Sequence, residues 1–291
     1  MRIAVTGSGG QLASSLIERA HGDVEIVALR RPAFALEDRR AVLDGIEMVE
    51  PDVVINAAAY TAVDKAEAEE DLAVRVNGEG AGHVAEATAR IGVPLLHLST
   101  DYVFDGALDR PYREDDPTGP ISVYGRSKLI GEKRVAERCP DSVILRTAWV
   151  YSPFGANFVR TMLRLNETRD EVGVVADQRG NPTSALDIAD ALLAVAMRIR
   201  ADASPTLRGV FHMTGSGEAT WADFAEAVFA NAHAKGRRLT RVKRLTTADY
   251  PTPARRPANC RLDSEKLRRV FGLALPEWRA SLAVCCARLL D

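Results

Sequence analysis

Tyr124 and Lys128 are the two side chains of this sequence whose types and spacing could do chemistry together. Positions four apart share one face of a helix, so the pair would lie one turn from each other. A free tyrosine has a pKa of about 10, and a neighbouring ammonium stabilises its phenolate, which predicts a lowered pKa for Tyr124. With the Thr100 hydroxyl holding a carbonyl oxygen, the phenol could protonate that oxygen while a hydride reaches the adjoining carbon. A structural tyrosine beside a solvated lysine would show the same spacing. The surrounding elements must therefore show whether the pair is catalytic.

The first of these elements is a glycine-rich turn near the start of the chain. Residues 3–6 are an apolar run typical of a buried strand, and residues 11–20 are amphipathic. Between them, Gly7, Gly10 and Ala13 follow the spacing G-x-x-G-x-x-A, with alanine where a third glycine usually stands. A strand, a tight turn and a helix N-terminus present free N–H groups to a phosphate. The turn therefore predicts a site for the phosphates of a dinucleotide.

The second predicted strand, residues 24–29, ends at Arg30 and Arg31. A carboxylate at this place would bind a free ribose 2′-hydroxyl, whereas a guanidinium suits a 2′-phosphate. No Asp or Glu stands there, which favours NADPH as cofactor, with NADH as the alternative. Two surface arginines without a ligand would leave the same pattern.

Predicted strands and helices alternate through the first half of the chain, with strands at 52–55, 95–99 and 143–147 and helices at 67–90 and 124–137. This alternation predicts an α/β fold, a Rossmann-type doubly wound parallel sheet, with a dinucleotide-binding domain at residues 1–150. Ligands of such sheets lie at the carboxyl ends of the strands, where Thr100 and Asp101 follow residues 95–99. Asp38 is expected to cap the next helix.

Residues 151–291 predict a smaller C-terminal substrate lobe, with some segments returning to the sheet. Helices are expected at 157–166, 186–200 and 221–232, and strands at 173–176 and 209–213. Residues 246–259 contain three prolines and are expected to be irregular.

Composition excludes several classes of function. The 291 residues carry a net charge of −2, which creates no field that would attract nucleic acid or an acidic membrane. No apolar segment approaches the roughly 20 residues that a membrane helix needs, and no leader is recognisable. Two of the four cysteines are adjacent and none shows metal-ligand spacing, so neither a disulfide framework nor a zinc site is expected. Free cysteines favour a reducing cytoplasm. His97 lies within an apolar strand and is expected to be a buried, hydrogen-bonded histidine and not a catalytic one.

Six stretches, spread in order over nearly the whole chain, carry a resemblance to a known family. They are residues 56–67, 98–106, 124–132, 146–151, 177–183 and 255–263. In these stretches the chain resembles the extended short-chain dehydrogenases/reductases, and most closely the dTDP-4-dehydrorhamnose reductases among them. The resemblance implies reduction of the C4 keto group of dTDP-4-dehydro-L-rhamnose to dTDP-L-rhamnose by NADPH. That reaction would serve dTDP-rhamnose biosynthesis for cell-surface polysaccharide such as lipopolysaccharide O-antigen.

The same resemblance implies roles for individual residues. Thr100, Tyr124 and Lys128 would be the catalytic triad, with Tyr124 as proton donor. Thr100, Asp101 and Trp149 would contact the sugar. The residues implied in cofactor binding are Gly7, Gly10, Gln11, Leu12, Arg30, Ala58, Ala59, Tyr60, Thr61, Tyr124 and Lys128.

Some relatives form a magnesium-bridged dimer through glutamates at the places that Ser15 and Leu186 occupy here. Neither residue supplies a carboxylate, so no metal is expected, and both a monomer and a homodimer stay open. Arg255 and Arg256 are candidates for the substrate diphosphate, although surface arginines would look alike.

Related proteins use the same Tyr/Lys pair in other reactions. Sugar 4,6-dehydratases place Asp-Glu after the threonine, whereas Thr100 is followed here by Asp101-Tyr102, which disfavours elimination. Epimerases hold NAD permanently, and the Arg30-Arg31 end of the second strand argues mildly against that. The regulatory β subunit of methionine adenosyltransferase is a binding protein of similar sequence, and the intact triad favours an enzyme over such a role.

Overall fold

The computed structural model describes residues 1–291 and is built around a six-stranded parallel sheet in the order β2-β1-β3-β4-β5-β10. This sheet confirms the predicted doubly wound α/β fold. Its strands are Arg2–Thr6 (β1), Glu25–Leu29 (β2), Val53–Asn56 (β3), Leu95–Thr100 (β4), Ser142–Thr147 (β5) and Gly209–His212 (β10). The shorter strands, which pair in three small sheets, are Val150–Tyr151 (β6), Glu171–Val175 (β7), Arg179–Gly180 (β8), Thr183–Ser184 (β9), Ala219–Thr220 (β11) and Arg241–Leu245 (β12).

Helices cover both faces of the sheet, which explains why its strands are apolar on both sides. Ile3 and Val5 face a core that α1 and α8 complete, while Ala4 faces a core completed by α2, α5 and α6. The helices are Gln11–Arg19 (α1), Arg39–Val49 (α2), Val63–Ala66 (α3), Glu70–Ala73 (α4), Gly80–Ile91 (α5), Val123–Arg138 (α6), Phe158–Asn166 (α7), Ala185–Ala201 (α8), Trp221–Ala234 (α9), Glu265–Phe271 (α10) and Trp278–Leu290 (α11). The sheet is therefore the middle layer between two layers of helices.

The helix predicted at residues 67–90 is not continuous. A π-helical segment at Val74–Glu79 separates α4 from α5. Within it, the side chain of Asn77 donates to the hydroxyl of Ser127 on α6 at 2.9 Å and bonds the backbone of Tyr60. Such bulges occur often at functional sites, and this one places an amide beneath the loop after β3.

The second half builds its own core and also returns to the sheet. Residues of α7, α9 and α11 form a separate cluster that includes Phe224 and Trp278. β10 pairs with β5, and α8 packs against α1. The predicted division at residue 150 stays a prediction. Sequence reasoning missed β12, because its two apolar residues, Val242 and Leu245, are three apart within a basic run and show no alternation. The arginines of β12 pair with carboxylates on β7 and α9.

Several local predictions are confirmed. Asp38 caps α2 by accepting from the Ala41 N–H, and residues 246–259 are irregular apart from one 3₁₀ turn at Thr247–Asp249. The four cysteines are buried free thiols. None of the helices has the length and apolar content needed to traverse a lipid bilayer.

Candidate active site

A cleft of about 680 Å³ opens at the carboxyl ends of β1, β3, β4 and β5. The strand order reverses between β1 and β3, and ligands of doubly wound sheets bind at such a reversal. Ten of the eleven residues that the sequence assigned to a cofactor line the cleft, namely Gly7, Gly10, Gln11, Leu12, Arg30, Ala58, Ala59, Thr61, Tyr124 and Lys128. Sequence reasoning missed further lining residues, among them Thr147, Val150, Gly155 and Ala156.

The glycine turn is shaped for close approach of a phosphate. Gly7 has φ +82°, and a Cβ on it would lie 2.9 Å from the Cα of Ala58, so only glycine fits. The Gly10 N–H donates to the Gly7 carbonyl at 2.9 Å, and α1 begins at the next residue without any side-chain cap. The first N–H groups of α1 therefore remain free for an anion at the helix N-terminus. This cradle fits the diphosphate of a dinucleotide.

Arg30 and Arg31 both line the cleft, but their guanidinium groups differ in what they bind. Arg31 donates to both carboxylate oxygens of Glu37, at 2.5 and 2.6 Å. Arg30 is exposed and makes no side-chain hydrogen bond or ion pair. Arg30 is therefore the arginine at the end of β2 that is free to bind a 2′-phosphate.

Tyr60 is the one predicted cofactor residue that does not line the cleft. Its phenol donates to Glu69 at 2.5 Å, which raises its pKa to about 12, and its backbone is held on both sides by Asn77. The structure gives Tyr60 a role in shaping the loop after β3. Nothing in the sequence near Asn77 signalled this contact, because it depends on the π-helical turn.

Lys128 lies at the base of the cleft, one turn along α6 from Tyr124. The side chain of Ser122 caps α6, and Gly125 allows the first turn to approach the Tyr102 carbonyl more closely than any Cβ would. The Lys128 ammonium donates to the Leu98 carbonyl at 2.7 Å. Burial lowers the pKa of Lys128 to about 8, and Glu132 opposes that shift. The lysine is therefore still mainly charged at neutral pH.

The expected lowering of the Tyr124 pKa is wrong for this structure. Burial of the phenol raises its pKa to about 12, the negative charge of Asp101 adds to the rise, and the neighbouring Thr100 hydroxyl opposes it. The Lys128 ammonium, occupied by the Leu98 carbonyl, does not outweigh these effects. A phenol with this pKa is protonated at neutral pH, which is the state that a proton donor requires.

A buried ion pair lies behind the lysine and was not foreseen. Arg146 on β5 donates to both oxygens of Glu132 on α6, at 2.9 and 2.7 Å, and Ser99 donates to the same carboxylate at 2.5 Å. The two charged side chains are each 5% exposed. The pair joins α6 to β4 and β5, and so fixes the helix that carries Tyr124 and Lys128.

The three residues assigned to the sugar lie next to the cleft and not in its lining. Thr100 ends β4 beside Tyr124, and Asp101 follows it in a buried position. Trp149 stands between Thr147 and Val150, which do line the cleft. It has an unusual φ of +44°, and its ring stacks on Trp221 with centroids 3.6 Å apart. Strain of this kind often accompanies a functional position. Trp221 was not identified from the sequence.

His97 is buried, as predicted, and is part of a polar chain across three strands. The Thr6 hydroxyl donates to Asn56 Oδ1 at 2.7 Å, and Asn56 Nδ2 donates to His97 Nδ1 at 3.0 Å. Burial is the main cause that lowers the pKa of His97, so the ring is neutral. Thr6 also accepts from the Ala58 N–H, which ties the chain to the cleft wall.

Together these groups place a protonated phenol, a hydroxyl and an ammonium at one end of a dinucleotide-sized cleft. Such an arrangement can hold a carbonyl oxygen and protonate it.

Comparison with known proteins agrees with this interpretation. The family model described as RmlD substrate binding domain matches residues 1–290.

One relative and two solved structures match over 95% or more of their own length. A dTDP-4-dehydrorhamnose reductase of Sinorhizobium fredii is 55% identical over 97% of this chain and 95% of that protein. A crystal structure of a dTDP-4-dehydrorhamnose reductase from Clostridium acetobutylicum superposes with a TM-score of 0.93 at 37% identity, covering all of both chains. The Bacillus anthracis dTDP-4-dehydrorhamnose reductase in complex with NADP superposes with a TM-score of 0.91 at 33% identity, covering 98% of each chain. The chain therefore belongs to the dTDP-4-dehydrorhamnose reductase family.

Proposed function

We propose that this chain is an NADPH-dependent oxidoreductase that reduces the C4 keto group of dTDP-4-dehydro-L-rhamnose, giving dTDP-L-rhamnose. The observation that carries the proposal is the Tyr124 phenol in the same cleft as Lys128, whose ammonium is fixed by the Leu98 carbonyl, with Thr100 beside the phenol. The product would serve dTDP-rhamnose biosynthesis for cell-surface polysaccharide, including lipopolysaccharide O-antigen. The proposed location is the cytoplasm, where NADPH is kept reduced.

The cleft fits NADPH at both of its ends. The Gly7 turn leaves room for a diphosphate, and Arg30 is unpaired where a 2′-phosphate would lie. When bound, NADPH supplies a hydride. Lys128 would bind the nicotinamide ribose with donors that remain beyond its bond to the Leu98 carbonyl. The hydrophobic walls provided by Val150 and Ile188 would limit access of water.

The chain's own residues would perform the proton half of the reaction. Thr100 and Tyr124 hold the keto oxygen, and Tyr124 donates its proton to that oxygen as negative charge develops there. Lys128 stabilises the phenolate that remains, because its charge then lies one helical turn away. Trp149 and Asp101 would position the sugar ring.

Of the two arginines considered for the substrate diphosphate, Arg255 is favoured. Arg256 pairs with Asp64 at 2.8 Å and donates to Thr252, so its guanidinium holds the irregular 246–259 segment against α3. Arg255 is exposed and makes no ion pair.

An NADPH-oxidation assay with dTDP-4-dehydrorhamnose, beside UDP- and GDP-linked keto sugars, tests the proposal. The proposal expects NADPH consumption with the dTDP sugar and an alcohol product. Cofactor binding without turnover would instead indicate a regulatory protein like the methionine adenosyltransferase β subunit. Conversion of the sugar without net NADPH loss would indicate an epimerase or dehydratase.

A further inference from the structure

Arg255, the arginine favoured for the substrate diphosphate, lies in a segment that has almost no regular structure to hold it. Residues 246–259 join β12 to α10, and apart from one 3₁₀ turn they form neither helix nor strand. An arginine on an unsupported segment loses conformational entropy when it binds an anion, and this loss weakens the binding. The contacts of the residues on either side of Arg255 therefore determine how well its guanidinium is placed.

Both neighbours of Arg255 are bound by one carboxylate, that of Asp64. The Ala254 N–H donates to Asp64 Oδ1 at 3.2 Å, and the Arg256 guanidinium donates to Asp64 Oδ2 at 2.8 Å. Asp64 lies on α3, which directly follows the loop after β3 that lines the cofactor cleft. A single side chain thus holds the backbone before Arg255 and the side chain after it.

Burial shows which side of the segment Arg255 occupies. Ala254 is 1% exposed and the Arg256 side chain 22% exposed, whereas Arg255 is exposed. The two neighbours therefore face inward and Arg255 faces outward. The Arg256 guanidinium also donates to the Ala254 carbonyl at 3.3 Å, which links the two neighbours directly. Arg255 is left with a fixed backbone and a guanidinium that is available to an anion.

After Arg255 the segment continues toward the part of the molecule assigned to the sugar. Pro257 packs against Gly106 in the loop after β4, and the Ala258 carbonyl accepts from β8 at 2.8 Å. Within β8, Gly180 supports the Trp149 ring, since a Cβ on this glycine would clash with the indole. Along the chain, the exposed arginine therefore lies between its anchor on α3 and the strand that supports Trp149.

We propose that Asp64 is a positioning residue that holds Arg255 in place for the diphosphate of the nucleotide sugar. The inference rests on the proposed reductase function, whose substrate supplies the diphosphate. Asp64 does not line the cofactor cleft and acts through Ala254 and Arg256. Because both neighbours are already bound in the free protein, less entropy is lost when Arg255 binds the diphosphate, and the affinity is higher.

The charges of the pair agree with a positioning role. The hydrogen bond from Arg256 lowers the pKa of Asp64, so the carboxylate is ionised at neutral pH. The Asp64 side chain is 41% exposed, and an ion pair of this kind adds little to the free energy of unfolding. Removal of Asp64 should therefore leave the fold intact and change the local position of the segment.

The test is calorimetric titration of the full chain with dTDP, which carries the diphosphate but no reactive sugar. Arg255→Ala should raise the Kd for dTDP roughly tenfold, because a hydrogen bond to a charged group is lost. Asp64→Ala should raise the same Kd roughly three- to tenfold, because Arg255 is kept but no longer positioned. The Kd for NADPH should change by less than about twofold in both variants, since neither residue lines the cofactor cleft.

The double variant Asp64→Ala/Arg255→Ala distinguishes positioning from a general structural role. If Asp64 acts through Arg255, the double variant should bind dTDP within about twofold of Arg255→Ala alone. Asp52→Ala is the matched control. Asp52 likewise accepts from a backbone N–H, that of Arg2 at 2.8 Å, and from the Arg200 guanidinium at 3.3 Å, but it precedes β3 at the amino end of the sheet. This variant should bind dTDP like the wild type.

Steady-state kinetics with the keto sugar give a second readout. Asp64→Ala should raise the KM for the nucleotide sugar and leave kcat nearly unchanged, because the phenol and the lysine are untouched. The inference is overturned by an unchanged or tighter Kd for dTDP in Asp64→Ala, or by additive losses in the double variant. A chain that shows the predicted losses of dTDP affinity, yet never oxidises NADPH with a keto sugar, would contradict the proposed function and support the role of Asp64.

Discussion

Replacing Arg30 with alanine should weaken the binding of NADPH and leave the binding of NADH nearly unchanged. Arg30 is exposed, unpaired and located at the end of β2 in the wall of the cleft. Its removal leaves the glycine turn and the phenol site unchanged. The variant should therefore lose affinity for the 2′-phosphate of NADPH while keeping its affinity for NADH, which has no such group.

The size of the loss follows from the kind of bond. A hydrogen bond to a charged group contributes about 1.5–3 kcal/mol, and solvent screening of an exposed arginine places this one near the lower end. About 1.4 kcal/mol corresponds to a tenfold change in Kd, so the Kd for NADPH should rise roughly tenfold. The Kd for NADH should change by less than about twofold.

Fluorescence titration of both dinucleotides measures these constants, and Arg31→Ala is the matched control. Arg31 has a side chain 62% exposed and is already paired with Glu37. An exposed pair contributes about 0–1 kcal/mol, so its loss should affect both cofactors alike and weakly. The reasoning is refuted if Arg30→Ala weakens NADPH and NADH equally, or if Arg31→Ala is the variant that discriminates.

Two further predictions concern the sugar and the metal. Trp221→Ala removes the ring that stacks on Trp149, so the KM for the nucleotide sugar should rise roughly three- to tenfold while the Kd for NADPH stays unchanged. Trp221→Phe is the control and should retain most of the stack. An unaltered KM in both variants would remove Trp149 from the sugar site. Activity should survive EDTA, because Ser15 and Leu186 are buried and offer no carboxylate to a cation; a loss that magnesium restores would reveal a metal site.

The parts of the fold that depend on local patterns were predictable from the sequence. Apolar runs such as Val53–Asn56 produce buried strands, and glycine at position 7 permits the positive φ of the turn that precedes the amphipathic helix. Parallel strands then bring their carboxyl ends together, which accounts for Thr100 lying at the edge where the cleft opens.

The features that escaped prediction arise from contacts between distant segments. Asn77 acts through a π-helical turn, Glu132 meets Arg146 only after α6 packs on β5, and Trp221 reaches Trp149 across the second core. The pKa of Tyr124 is another example. Spacing along α6 indicated a nearby ammonium, but burial and Asp101 determine the direction of the shift, and neither can be read from a four-residue interval.

The most direct test of the account is steady-state NADPH oxidation with dTDP-4-dehydrorhamnose by the wild type and by Tyr124→Phe. The account predicts turnover by the wild type and a kcat lower by about 10²–10⁴ in the variant, with the Kd for NADPH unchanged, because only the proton donor is lost. Near-normal turnover by Tyr124→Phe would contradict the claim that this phenol protonates the reduced oxygen.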